Sequence, residues 1–178
     1  MSIKYPLATA TWDSAEYQAL QDVIASGMFT MGPKVAQFEA DFARYIGSKY
    51  AVMVNSGSSA NLLMVAALIY TKNPVLKLKA GDEVIVPAVS WSTTYYPLYQ
   101  YGLKLKFVDI NLHTLNYDLG QLKQAITSKT RAIMAVNLLG NPNDFSEINK
   151  MVGDRQIVLI EDNCESLGAQ FEGKKAGT

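Results

Sequence analysis

The sequence predicts an α/β fold: a three-layer sandwich with a mainly parallel sheet between layers of helices. Three observations predict it. Apolar runs of about five to seven residues, rich in Val and Ile, recur along the chain, most of them apolar throughout as in strands buried on both faces. Segments of helical period separate these runs. The order is helix, helix, then strand and helix in repetition, which parallel strands joined by right-handed crossovers require.

The elements follow in chain order. Asp13 with Glu16 three residues later makes a capping-box start, and Gly27 is a natural stop. Val35, Phe38, Phe42 and Tyr45 share one helical face, and Gly47 follows as the terminating glycine. The strand candidates are residues 50–55, 83–89, 104–109, 131–138 and 157–161. Between the first two lies 58–70, apolar on nearly every side and expected to be a buried helix. Leu119, Leu122 and Ile126 mark the next helical stripe. Asp144 with Glu147 opens another helix, which carries Phe145, Ile148 and Val152 and stops at Gly153. The run Lys174-Lys175-Ala176-Gly177-Thr178 closes no element and reads as a chain interrupted within a domain. The division expected is an N-terminal arm and helix over 1–30 and one large domain over 31–178.

Composition narrows the function. The 178 residues suit one domain, and at 49% hydrophobic they can build a sizeable core. Sixteen Lys and Arg balance sixteen Asp and Glu, so the basic excess of a nucleic-acid binder is missing. Apolar stretches such as 62–70 are too short to cross a bilayer, and the first residues, MSIKYPLATATWD, have no apolar core of a signal peptide. One cysteine, Cys164, rules out an internal disulfide framework, and one cysteine with one histidine makes no zinc site. The expectation is a soluble, cytoplasmic protein.

Three stretches can carry chemistry. In Asn55-Ser56-Gly57-Ser58-Ser59-Ala60-Asn61 an apolar run meets a helix. Gly57 permits a tight turn, Ser58 and Ser59 can cap the helix, and the free N–H groups of the first turn favour a phosphate; an ordinary serine-capped helix is the alternative. The stretch is neither a P-loop nor a dinucleotide fingerprint, because the required glycines and lysine are missing. In Pro87-Ala88-Val89-Ser90-Trp91-Ser92-Thr93-Thr94, Trp91 either stacks on a flat ring or fills core space. In Ile160-Glu161-Asp162-Asn163-Cys164-Glu165, acids stand at a strand's carboxyl end, where α/β folds place ligands. Asp162 there can keep a pyridine nitrogen protonated, or serve as a helix cap, a metal ligand or a solvated acid. His113 is expected on a surface turn, and Cys164 as a small buried residue. Tyr95, Tyr96, Tyr99 and Tyr101 are expected in packing or an interface. Asn137 either faces the site or satisfies the backbone of its turn.

The order of these three stretches resembles that of fold-type I pyridoxal-phosphate (PLP) enzymes. The surrounding text resembles one family, the sugar-nucleotide aminotransferases and dehydratases called DegT/StrS. The residues carrying the likeness include Gly32-Pro33-Lys34-Val35, Phe38-Glu39, Phe42-Ala43, Ala51-Val52-Met53-Val54-Asn55-Ser56-Gly57-Ser58, Val86-Pro87 and Glu161-Asp162. The likeness runs from about Tyr5 to Thr178. Within the family, residues 90–98, 137–143 and 161–166 are similar to a dehydratase branch. Family aminotransferases usually have Gln three residues after the Asp; Glu165 stands there here.

The resemblance implies that Gly57 and Ser58 donate to the cofactor phosphate, Trp91 stacks on the pyridine ring, Asp162 pairs with its nitrogen, and Glu165 lies near its hydroxyl. It implies PLP and its amine form, pyridoxamine 5'-phosphate, as cofactors. It implies a nucleotide-sugar substrate, GDP-linked in the branch indicated, glutamate as amine donor, and a homodimer. The implied reaction is C3 dehydration of a nucleotide-linked 4-keto-6-deoxyhexose, on the way to dideoxysugars of the colitose type in O-antigen. The family's catalytic base, a lysine in aminotransferases and a histidine in the dehydratase branch, is expected beyond Thr178; Lys174 and Lys175 do not take its place. The rivals are a 4-aminotransferase of the same family, an NAD-dependent oxidoreductase, which needs a glycine fingerprint missing here, and a truncated, non-catalytic fragment.

Overall fold

The computed structural model describes residues 9–178. The first eight residues of the expected 1–30 arm lie outside them. Helix α1 (Ser14–Ser26) starts as its capping box requires: the Asp13 carboxylate accepts from the Ala15 N–H, and the Glu16 carboxylate accepts from the Asp13 N–H. It ends at Gly27, whose φ of 66° is left-handed. Helix α2 (Pro33–Ile46) has proline in its first turn and Gly47 at its end.

Helix α3 (Gly57–Tyr70) precedes four strands: β1 (Glu83–Pro87), β2 (Lys104–Val108), β3 (Thr130–Val136) and β4 (Val158–Asp162). Helices α4 (Ser92–Gln100), α5 (Leu119–Ala125) and α6 (Phe145–Val152) make the three crossovers between them. The sheet order is β2-β1-β3-β4, and every neighbouring pair is parallel. The pleat divides the strand side chains between two cores. Val84, Val86, Ala132, Met134 and Ile160 pack on the side of α3 and α4, with Val65 and Leu98. Ile85, Ile133 and Ala135 pack on the opposite side, with Leu122 and Ala125 of α5 and Ile148 of α6. This is the predicted three-layer sandwich. The Asp144 carboxylate caps α6 by accepting from the Glu147 N–H at 2.9 Å.

Four expectations change. Residues 50–55 form no strand among the described residues: Tyr50 and Val52 are each 75% exposed. No ladder partner lies beside them, and side chains take their backbone groups instead. The Met53 N–H donates to Glu39 Oε1 at 2.8 Å, and the Ser48 hydroxyl donates to the Tyr50 carbonyl at 2.9 Å. Helix α3 is not buried all round; Asn61 and Val65 are buried while Leu62 and Leu63 are exposed, because only one of its faces meets the sheet. The strand over 131–138 stops at Val136, where the backbone turns into a 3-10 turn at Leu138–Gly140. The last residues do close an element: β5 (Gln170–Phe171) and β6 (Lys174–Lys175) form a short antiparallel hairpin. Lys175 ties it to α2, its ammonium 3.5 Å from the centroid of the Tyr45 ring and donating to the Tyr45 carbonyl.

Candidate active site

The strand order creates a crevice. From β1 the chain crosses to β2 on one side, while from β3 it crosses to β4 on the other. Adjacent strands whose connections leave in opposite directions open a gap at their carboxyl ends, where α/β proteins bind ligands. A cavity of about 290 Å³ lies there, near the lower limit of the ~300–1,000 Å³ typical of small-molecule sites. All five predicted site residues line it: Gly57, Ser58, Trp91, Asp162 and Glu165.

One end of the cavity is the amino terminus of α3. Ser56 caps the helix, its hydroxyl accepting from the Ser59 N–H at 3.2 Å. Ser59, offered above as a cap, is thus the donor to the cap. The first-turn N–H groups of Gly57 and Ser58 have no intrahelical acceptor and carry the positive end of the helix dipole. Trp91 stands just before α4 and is 76% exposed, so it does not fill core space.

Asp162, the last residue of β4, is 8% exposed. Its Oδ2 accepts from Asn61 Nδ2 and from the Thr94 hydroxyl, each at 2.9 Å, and its Oδ1 accepts from the Cys164 N–H at 3.2 Å. Glu165 Oε2 accepts from the Leu139 N–H at 2.7 Å. Leu139 has φ 51°, left-handed backbone that a leucine adopts at a cost of about 1–2 kcal/mol. Gly140 follows with φ 83°, and a Cβ there would stand 3.3 Å from the Glu165 carbonyl, so the 3-10 turn and the 163–165 loop meet closely.

Asn137 is fully buried and takes the structural alternative. Its Oδ1 accepts from the Asn143 N–H and Nδ2, both at 2.9 Å, and its Nδ2 donates to Asn163 Oδ1 at 2.7 Å, which braces the loops after β3 and β4. Cys164, expected to be buried, is exposed and lines the cavity beside Gly57, because the chain has already left the sheet. His113 is exposed in its turn. Among the tyrosines, the Tyr95 hydroxyl donates to the Pro87 carbonyl at 2.8 Å; burial pushes its phenol up from the ordinary value, partly opposed by a hydrogen bond with Ser90. Tyr96 and Tyr99 are exposed.

Asn61 and Thr94, the residues that hold Asp162, were not singled out from sequence. Asn61 had a signal: it is the lone amide in the otherwise apolar body of α3. Thr94 had none, since Ser92-Thr93-Thr94 offers three equivalent hydroxyls. Among the described residues no group of His, Cys, Asp and Glu has the arrangement of a metal site, and no helix is long and apolar enough to cross a membrane.

This architecture and site belong to a class. Residues 11–178 match the model of the DegT/DnrJ/EryC1/StrS aminotransferase family, and the chain belongs to that family. Two relatives are GDP-4-keto-6-deoxy-D-mannose 3-dehydratases. The protein of Escherichia coli O55:H7 is 65% identical over 99% of this chain and 45% of its own length. That of Yersinia pseudotuberculosis is 64% identical over 99% of this chain and 44% of its own. The structure of the E. coli enzyme with bound hydrated PLP superimposes with a TM-score of 0.96 at 65% identity, covering 100% of this chain and 45% of that one. The chain therefore spans less than half the length of these relatives.

Proposed function

We propose that this chain provides the cofactor-binding side of a PLP- and pyridoxamine-phosphate-dependent 3-dehydratase, which removes the C3 hydroxyl of GDP-4-keto-6-deoxy-D-mannose. The observation that carries this reading is the cavity bracketed by the first turn of α3 and the buried carboxylate of Asp162. Donors at one end and an acceptor at the other suit a molecule with a phosphate at one side and a protonated ring nitrogen at the other. The 65% identity to a dehydratase supports the reaction and the substrate. Glu165, where family aminotransferases carry glutamine, argues against the amine-transferring alternative.

The residues take these parts. Gly57 and Ser58 bind phosphate through backbone N–H groups and the Ser58 hydroxyl. The indole of Trp91 covers the ring face. Asp162 holds a proton on the ring nitrogen, because an opposite charge at contact favours the charged form. Glu165, fixed by Leu139, accepts from the ring hydroxyl. The cofactor in its amine form supplies a conjugated ring that takes up electrons released beside it, which permits loss of a hydroxyl from the neighbouring carbon. No residue of this chain is assigned as the base that moves the proton. Residues 31–178 form the cofactor-binding domain behind the 1–30 arm, in a cytoplasmic homodimer that draws its amine from glutamate, for a colitose-type dideoxysugar of O-antigen.

The test supplies the intact gene product with GDP-4-keto-6-deoxy-D-mannose, PLP and glutamate, and follows ammonia and the sugar by NMR. A 3-deoxy-4-keto sugar with ammonia release is expected; a 4-amino sugar without ammonia would replace the dehydratase with an aminotransferase. Asp162→Asn is expected to slow turnover more than about a hundredfold. Turnover within a few-fold of the parent would remove the role given to Asp162.

A further inference from the structure

The two oxygens of Asp162 are treated differently. Oδ2 receives two donors, Asn61 Nδ2 and the Thr94 hydroxyl, while Oδ1 receives one longer bond from the Cys164 N–H. A carboxylate oxygen accepts about two hydrogen bonds, so Oδ2 is filled and Oδ1 keeps a free acceptor position.

The donors are themselves fixed. Asn61 Nδ2 donates its second hydrogen to the Thr93 carbonyl at 3.3 Å. A flipped amide would set oxygen against oxygen at both contacts, so only one orientation fits. The Thr94 hydroxyl also lies 2.9 Å from the Ser90 hydroxyl. An ionised carboxylate only accepts, so the protons run from Ser90 to Thr94 and from Thr94 to Asp162, and each bond polarises the next. The same two helices carry other parts of the site. Asn61 stands one helical turn after Gly57 on α3, and Thr94 follows Trp91 by three residues at the start of α4, its N–H donating to the Trp91 carbonyl at 3.0 Å.

We propose that Asn61 and Thr94 are positioning residues that saturate Oδ2 of Asp162 and so present Oδ1 to the ring nitrogen of the cofactor, with Ser90 aligning the Thr94 hydroxyl. The inference rests on the cofactor reading above. It assigns a common purpose to two residues that otherwise look like a helix-interior amide in α3 and a first-turn hydroxyl in α4.

The experiment uses the intact gene product carrying Asn61→Leu, Thr94→Val or Thr94→Ser, with Asp162→Asn as reference. Two quantities are read besides activity: the PLP dissociation constant, and the pH at which the absorbance band of bound PLP changes as its ring nitrogen loses its proton. Asn61→Leu and Thr94→Val are expected to weaken PLP binding about 10- to 100-fold, the size of one lost hydrogen bond to a charged group, and to move the spectral transition to lower pH. Thr94→Ser keeps the hydroxyl and is expected to behave as the parent. Parental affinity and parental spectral pH in Asn61→Leu and Thr94→Val overturn the proposal. So does a Thr94→Ser protein as impaired as Thr94→Val, which would make the methyl group rather than the hydroxyl the essential part, and this arm needs only the gentle variant to fold. If Asp162→Asn itself leaves affinity and spectrum unchanged, the failure belongs to the cofactor reading of Asp162 and not to its positioning.

Discussion

The backbone N–H of Leu139 donates to Glu165 Oε2 at 2.7 Å, joining the loop after β3 to the loop after β4 across the mouth of the cavity. The bond explains how a left-handed leucine persists there: the donor it aims at Glu165 offsets part of its backbone cost. Glu165→Ala removes the acceptor on an exposed surface and should cost about 1 kcal/mol. Glu165→Gln keeps an acceptor for Leu139 and should cost less. Urea unfolding of the two variants side by side measures the difference.

Gly140→Ala should do more damage than its size suggests. The residue has φ 83°, and a Cβ would meet the Glu165 carbonyl at 3.3 Å. Left-handed backbone and close approach together should destabilise by about 1–2 kcal/mol. Because the clash falls on Glu165, PLP affinity should drop as well, which an absorbance titration would detect.

Tyr117 sets a limit on stability at alkaline pH. Its buried hydroxyl donates to the Met134 carbonyl at 2.7 Å, with the Ile85 carbonyl at 3.3 Å, so one phenol bridges β3 and β1. Burial holds its pKa well above the ordinary 10.0, with a smaller push from Tyr95. A folded-state pKa raised above the unfolded one contributes stability that is complete below about pH 10 and lost as pH climbs toward the folded value. Urea midpoints measured from pH 8 to pH 11 should fall at the upper end, and Tyr117→Phe should flatten that fall. At neutral pH the same substitution should cost about 1–2 kcal/mol, since the bonded carbonyls lose their donor.

Two aspartate caps should separate local from global stability. Asp13 and Asp144 each cap a helix, and replacing either by alanine costs about 1 kcal/mol of helix stability. Helix α6 buries Ile148 in the core, so Asp144→Ala should lower the global unfolding midpoint. Helix α1 buries none of its residues, so Asp13→Ala should speed amide exchange within α1 and leave the midpoint almost unchanged.

Ile133→Ala should be the most destabilising of these changes. The side chain is fully buried in the central strand β3, packed with Ile85 and Leu122. A cavity at such a position costs about 2–5 kcal/mol, read from the urea midpoint.

The sequence by itself determined whatever depends on near neighbours in the chain. The capping box at Asp13, the side-chain cap at Asp144, the stops at Gly27 and Gly47 and the apolar runs of β1 to β4 are local, because helix ends are satisfied within a turn and buried strands need apolar side chains on both faces. The five expected site residues sit where strands end and helices begin, and the fold brings them to line one cavity. Tertiary structure decided what depends on partners far along the chain. Residues 50–55 have the composition of a strand, yet a strand exists only where a neighbour completes its ladder. Helix α3 reads as buried from composition, but its exposure is set by what packs on it. Asn61 and Asp162 are 101 residues apart, and nothing local joins them; the 2.9 Å bond arises because α3 packs on the side of the sheet where β4 ends. Pattern specifies the elements and the ends at which a site forms, while which oxygen of Asp162 is occupied, and by whom, is fixed only when the layers close.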